Sequence, residues 1–96
     1  MKNLYLVSYD ITNPKRLSKT FKALKGFGDH TQYSVFLCSL NPKEKVLLNE
    51  ALLNAINQKE DRILIVNIGP SEGTATSRIE VIGIQEPPVE PGPVIV

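Results

Sequence analysis

Apolar residues gather in six stretches, and their spacing separates strands from helices. Residues 3–9, NLYLVSY, are apolar on both sides and predict a strand covered on both faces. Asn13-Pro14 predicts a helix start, since Asn caps and Pro fits the first turn. The helix should run to about Lys25 and stop at Gly26-Phe27-Gly28. Leu17, Phe21 and Leu24 fall on one side of it, with Lys15, Lys19 and Lys22 opposite and Arg16 and Lys25 flanking them. Residues 30–40, HTQYSVFLCSL, are β-rich, as one long strand or a tight hairpin near Tyr33-Ser34. Asn41-Pro42-Lys43-Glu44 opens a second helix, running through Val46, Leu47, Leu52, Leu53 and Ile56 to about Asn57. Residues 62–68, RILIVNI, predict another apolar strand, 69–77 a loop, and 78–84, RIEVIGI, a further strand.

This order predicts an α+β fold on the ferredoxin-like split βαβ plan, with an additional C-terminal strand. The domain should span residues 1–85, followed by a proline-rich tail over 86–96 that ends in Val94-Ile95-Val96. Both helices would cover one face of the sheet. Strands apolar on both faces need a second cover, so the pattern predicts a two-fold homodimer packed sheet on sheet. The alternative is a single chain with a loop or the tail folded over that face. The tail tip can add a strand to a partner's sheet edge or remain a free end.

Composition narrows the class. No apolar run reaches the roughly 18 residues that span a bilayer, which predicts no membrane partner. Met1-Lys2-Asn3 leads directly into a strand and predicts no signal peptide. With Cys38 as the single cysteine, the expected location is cytoplasmic. Net charge is +1, but it is divided unevenly. Residues 1–45 hold eight basic and three acidic residues, a net of +5, and residues 46–96 hold three and seven, a net of −4. Such asymmetry marks either a polyanion-facing side or two solvated faces.

Asp10 ends the first strand beside the basic helix. It can serve the backbone of the turn, or it can bind a metal. Asn13 already supplies the cap, which weakens the first reading. Mg²⁺ or Mn²⁺ takes carboxylate, water and phosphate oxygens, and a two-fold dimer would supply Asp10 twice. Cys38 reads as a small core residue and His30 as a solvent-facing loop histidine. No Walker-type loop or zinc spacing is present.

YDI at 9–11, Arg16 in the first helix, FG at 27–28 and QYSVF at 32–36 together resemble the small CRISPR-associated adaptation protein, the Cas-two family. The likeness covers about residues 3–84. It implies a ferredoxin-like homodimer whose strand at 78–84 pairs with the partner's sheet. It also implies a metal-dependent endonuclease acting on RNA or double-stranded DNA, and an adaptor between copies of the Cas-one integrase during spacer acquisition. The family's metal-binding aspartate corresponds to Asp10, its helix arginine to Arg16, and its fold motif to Tyr9, Ser34, Val35 and Phe36. Lys15, Arg16, Lys19 and Lys22 are the candidate nucleic-acid contacts. Leu37 stands where many relatives carry an acid, and lysines replace arginines on the first helix. Lysine meets phosphate as a point charge and not as a fork. A toxin endoribonuclease of the VapD type has a similar architecture and is the alternative, as is a DNA scaffold without catalysis.

Overall fold

Two Asn-Pro pairs set where the helices begin. In the computed structural model, which describes residues 1–83, Asn13 caps helix α1 (Pro14–Lys25) by accepting the Arg16 amide at 3.0 Å. Asn41 caps α2 (Pro42–Ala55) reciprocally: its side chain accepts the Glu44 amide while the Glu44 carboxylate accepts the Asn41 amide, both at 2.8 Å. Each cap satisfies donors that the first turn of a helix leaves unpaired.

Four strands form one sheet: β1 (Asn3–Asp10), β2 (Asp29–Gln32), β3 (Val35–Leu40) and β4 (Arg62–Pro70). Their order is β2-β3-β1-β4, and all neighbours are antiparallel. β1 and β2, joined through α1, thus flank an inserted β3, which is the ferredoxin-like plan. Residues 30–40 resolve as a hairpin that turns at Tyr33 and Ser34. α1 matches its predicted span, α2 ends at Ala55, and β4 extends to Pro70.

One core lies between the sheet and both helices. Val7, Tyr9, Phe36 and Cys38 meet Phe21 and Leu24 of α1 and Leu48 and Leu52 of α2 there. Gly28 lies flat against β3: a β-carbon built on it would sit 2.5 Å from Cys38 Sγ and 2.8 Å from Cys38 Cα. Only glycine lets the chain leave α1 so close to that strand. His30 corrects its expectation as a solvent-facing loop residue. It lies in β2, 8 % exposed, with its ring edge-on to Phe21 and tilted on Phe36. Its Nε2–H donates to the Tyr33 carbonyl at 2.6 Å, pinning the hairpin turn from inside.

The opposite sheet face has two different halves. At one end, the row Ser39–Leu4–Gly69 is crossed by the chain that follows β4. Ser71 donates its amide to the Lys2 carbonyl at 2.9 Å and pairs its hydroxyl with that of Ser39 at 2.6 Å. Arg78, at the end of a short 3₁₀ turn (Thr76–Arg78), donates to the Ile68 carbonyl at 2.8 Å beside Gly69. Leu4 is buried beneath this segment, and Ala75 is buried within it. At the other end, the rows Leu37–Leu6–Val66 and Val35–Ser8–Leu64 have no such cover among the described residues, where Leu64 is 57 % and Val66 43 % exposed.

Within the single chain, the described part of the segment expected as a strand over 78–84 is not paired into the sheet. Residues 76–78 make the 3₁₀ turn, and 79–83 have no regular structure. Arg78 holds the start of this segment across β4 rather than alongside it, and the neighbour expected for 78–84 is a partner's sheet. Residue 84 and the tail over 86–96 lie outside the described residues.

Candidate nucleic-acid interface and carboxylate site

β1 carries Tyr9 and Asp10 to opposite faces of the sheet, because strand side chains alternate. Tyr9 points into the core, 3 % exposed, and its amide donates to the Ser34 carbonyl at 3.1 Å. Its ring lies 6.3 Å from Phe36, which is fully buried. Val35 is the register partner of Ser8. The stretches 9–11 and 34–36 are therefore neighbours across β1 and β3, and both serve the core and the strand pairing. Burial pushes the Tyr9 phenol up to about 12. Among the described residues, its hydroxyl finds no hydrogen-bond partner, and neither do Thr20 Oγ1 and His30 Nδ1. Cys38 is fully buried; burial first, and the nearby Asp29 charge second, raise its thiol to about 11.

Asp10 is exposed at the end of β1, on the face away from the helices. It pairs in register with Arg62, the first residue of β4, so an exposed cation stands beside the exposed carboxylate. Arg62 was not singled out from sequence. Its signal was the Asp61-Arg62 pair at the mouth of an apolar strand, mirroring Tyr9-Asp10 at the end of another. Among the described residues, no three His, Cys, Asp or Glu side chains gather to hold a metal ion. Asp10 is thus one exposed carboxylate with no second acidic ligand set gathered around it among the described residues.

The basic helix divides into different roles. Lys15 and Lys22 are exposed and carry no hydrogen bond or ion pair among the described residues. Lys19 reaches sideways and donates to the Asn54 carbonyl at the end of α2, 3.3 Å away. Arg16 turns inward. Its Nε donates to Asp61 Oδ2 at 2.6 Å, and its Nη2 to Asp61 Oδ1 and Glu60 Oε1, each at 3.2 Å. The Asp61 side chain is fully enclosed and also accepts the Asn57 amide at 2.8 Å. The hydrogen bond to Asp61 raises the Arg16 guanidinium above its ordinary value. The Arg16 and Asn57 hydrogen bonds lower the Asp61 carboxyl below its ordinary value. Arg16, expected as a phosphate contact, thus spends its planar fork within the chain.

The fold and these surfaces define a class: a small ferredoxin-like α+β protein with a lysine-bearing helix and an exposed carboxylate at a strand end. Residues 2–74 match the family model of the CRISPR-associated protein Cas2, and the chain belongs to that family. It is 42 % identical over 72 residues to the CRISPR-associated endoribonuclease Cas2 of Geobacter sulfurreducens, covering 75 % of this chain and 76 % of the relative. Its fold is similar to the crystal structure of Streptococcus pyogenes Cas2 at pH 6.5, with a TM-score of 0.73 and 33 % identity, over 83 % of this chain and 99 % of that one. It is also similar to a chain of a partial Cas6-RT-Cas1–Cas2 complex, with a TM-score of 0.69 and 27 % identity, over 85 % and 91 % of the two chains.

Proposed function

We propose that the chain works as a symmetric homodimer in CRISPR spacer acquisition. It bridges copies of the Cas1 integrase on double-stranded DNA and carries a metal-dependent phosphodiesterase site for RNA or DNA at Asp10. The observation that carries this reading is the half-covered sheet face. The segment 71–78 occupies the Leu4 end, so a second sheet can dock only on the rows of Leu6 and Ser8. Those rows lie next to Asp10. Docking there buries the half of Leu64 and of Val66 that is still exposed, each contributing about 1 kcal/mol. It also carries the two Asp10 carboxylates toward the two-fold axis.

One carboxylate is less than a Mg²⁺ or Mn²⁺ site, whereas two, completed by water and phosphate oxygens, match what these ions take. Such an ion supplies Lewis-acid polarisation of the phosphodiester and a more acidic water. The chain's own residues do the rest. Lys15 and Lys22 neutralise phosphates along the backbone, and Arg62 adds a cation beside the carboxylate. Binding by these groups is sequence-tolerant and weakens steeply with salt. The partner is supported by the neighbour that comes from a Cas1–Cas2 complex, and catalysis by relatives that carry the name endoribonuclease. Family membership favours this reading over the VapD-type toxin.

The Asp10→Asn dimer tests the reading. Metal-dependent cleavage should vanish while DNA binding and integrase-dependent spacer insertion persist. Cleavage that survives in a clean Asp10→Asn preparation removes the catalytic part. Loss of integrase binding in a folded wild-type dimer removes the adaptor part.

A further inference from the structure

Asp10 stands on a closed ring of connections. The strand register joins Asp10 to Arg62. The backbone joins Arg62 to Asp61. The Asp61 carboxylate holds Arg16 through two hydrogen bonds. The turn 11–13 and the Asn13 cap then lead from Arg16 back to Asp10. Within this ring Ile11 seats the Asp10 turn in the core, and the pair Arg16–Asp61 ties that turn to the start of β4. Asp61 is itself fixed from behind, because its Oδ2 accepts the Asn57 amide and its own amide donates to the Asn57 carbonyl at 2.8 Å. Glu60 takes the outer edge of the same guanidinium.

We propose that Asp61 and Arg16 are positioning residues: together they clamp the turn that carries Asp10 to the start of β4, and Arg16 serves the site through Asp61 instead of touching phosphate. Three features carry this. The guanidinium fork is saturated by carboxylate oxygens on the Asp61 side. Asp61 is fully enclosed, so a phosphate cannot reach the paired edge without breaking the contact. Lys15 and Lys22, in contrast, stand exposed on the outer face of the same helix. A bidentate charged pair fixes direction as well as distance, which a lysine at position 16 would not do. The inference rests on reading Asp10 and the basic helix as the nucleic-acid side of the molecule.

The test separates the clamp from that reading. Amide hydrogen exchange in Asp61→Asn should speed up about ten-fold or more at residues 10–13 and 62, with Phe36 and Cys38 unchanged. A merely structural role would instead raise exchange across the core strands as well. Unchanged exchange at residues 10–13 overturns the clamp whether or not nucleic acid binds. Should Asp61→Asn fail to fold, Arg16→Gln gives the same readout. On duplex DNA, Arg16→Gln should keep the wild-type salt slope, whereas Lys15→Gln and Lys22→Gln should each reduce it by about one. A drop of about one in Arg16→Gln, or tighter binding in Asp61→Asn as the fork is freed, overturns the proposal. If the lysine variants leave the slope unchanged, the basic-helix reading fails, and the exchange data alone decide the clamp.

Discussion

Arg16 and Asp61 stand 45 positions apart and meet at 2.6 Å, tying the first turn of α1 to the mouth of β4. The contact joins the basic N-terminal half to the acidic C-terminal half.

This pair makes stability depend on pH in a defined direction. The Asp61 carboxyl titrates lower in the folded chain than its ordinary value of 3.8. Its contribution is therefore fully present above about pH 5 and is lost as pH falls through the ordinary value toward the lowered folded one. Urea unfolding across pH 2–7 should show this loss, and Asp61→Asn should remove that part of the acid dependence. An unchanged acid limb in the variant contradicts the assignment.

The open sheet face predicts a selective effect on assembly. Leu64→Asp or Val66→Asp places a charge on an exposed position, so the monomer fold should survive with an unchanged circular dichroism spectrum. Burial of that charge against a second sheet is costly. Under the proposed sheet-on-sheet assembly, sedimentation should show a dimer for the unaltered chain and a monomer for either variant. A variant that remains dimeric places the interface elsewhere.

Gly28→Ala should cost about 1–3 kcal/mol, since its β-carbon overlaps Cys38 and backbone that cannot move independently. Thermal unfolding checks this. A loss much below that range would mean that the chain relaxes away from β3.

Tyr9→Phe should be neutral or stabilising, within about 1 kcal/mol, because the hydroxyl it removes is buried without a partner among the described residues. Denaturant unfolding measures it. A clear loss would reveal a hydrogen bond made by that hydroxyl in solution.

How much of this was legible in the sequence follows from the range of each interaction. Both helix starts were readable because Asn-Pro acts within four residues. Phe21 and Leu24 were placed on the core side of α1 because helical periodicity is also local. The hairpin was not decided, since Gln32-Tyr33-Ser34-Val35 contains none of the glycine or Asn-Gly signals that announce a tight turn. His30 was misjudged because its neighbours Phe21 and Phe36 are distant in sequence. The alternation over 78–84 marks a segment able to pair, but its expected neighbour is a partner's sheet, which periodicity within one chain cannot locate. Arg16 looked like one more cation on a basic helix. Its partner lies across the fold, and no periodicity marks a contact between α1 and the loop before β4.

The most direct measurement is a crystal structure of the dimer grown with Mn²⁺, read by anomalous scattering at Asp10. The account predicts sheet faces packed through Leu6, Leu64 and Val66, with one ion shared by the two Asp10 carboxylates at about 2.1 Å from their oxygens. A dimer built on another surface, with the two Asp10 residues pointing away from each other, would contradict it.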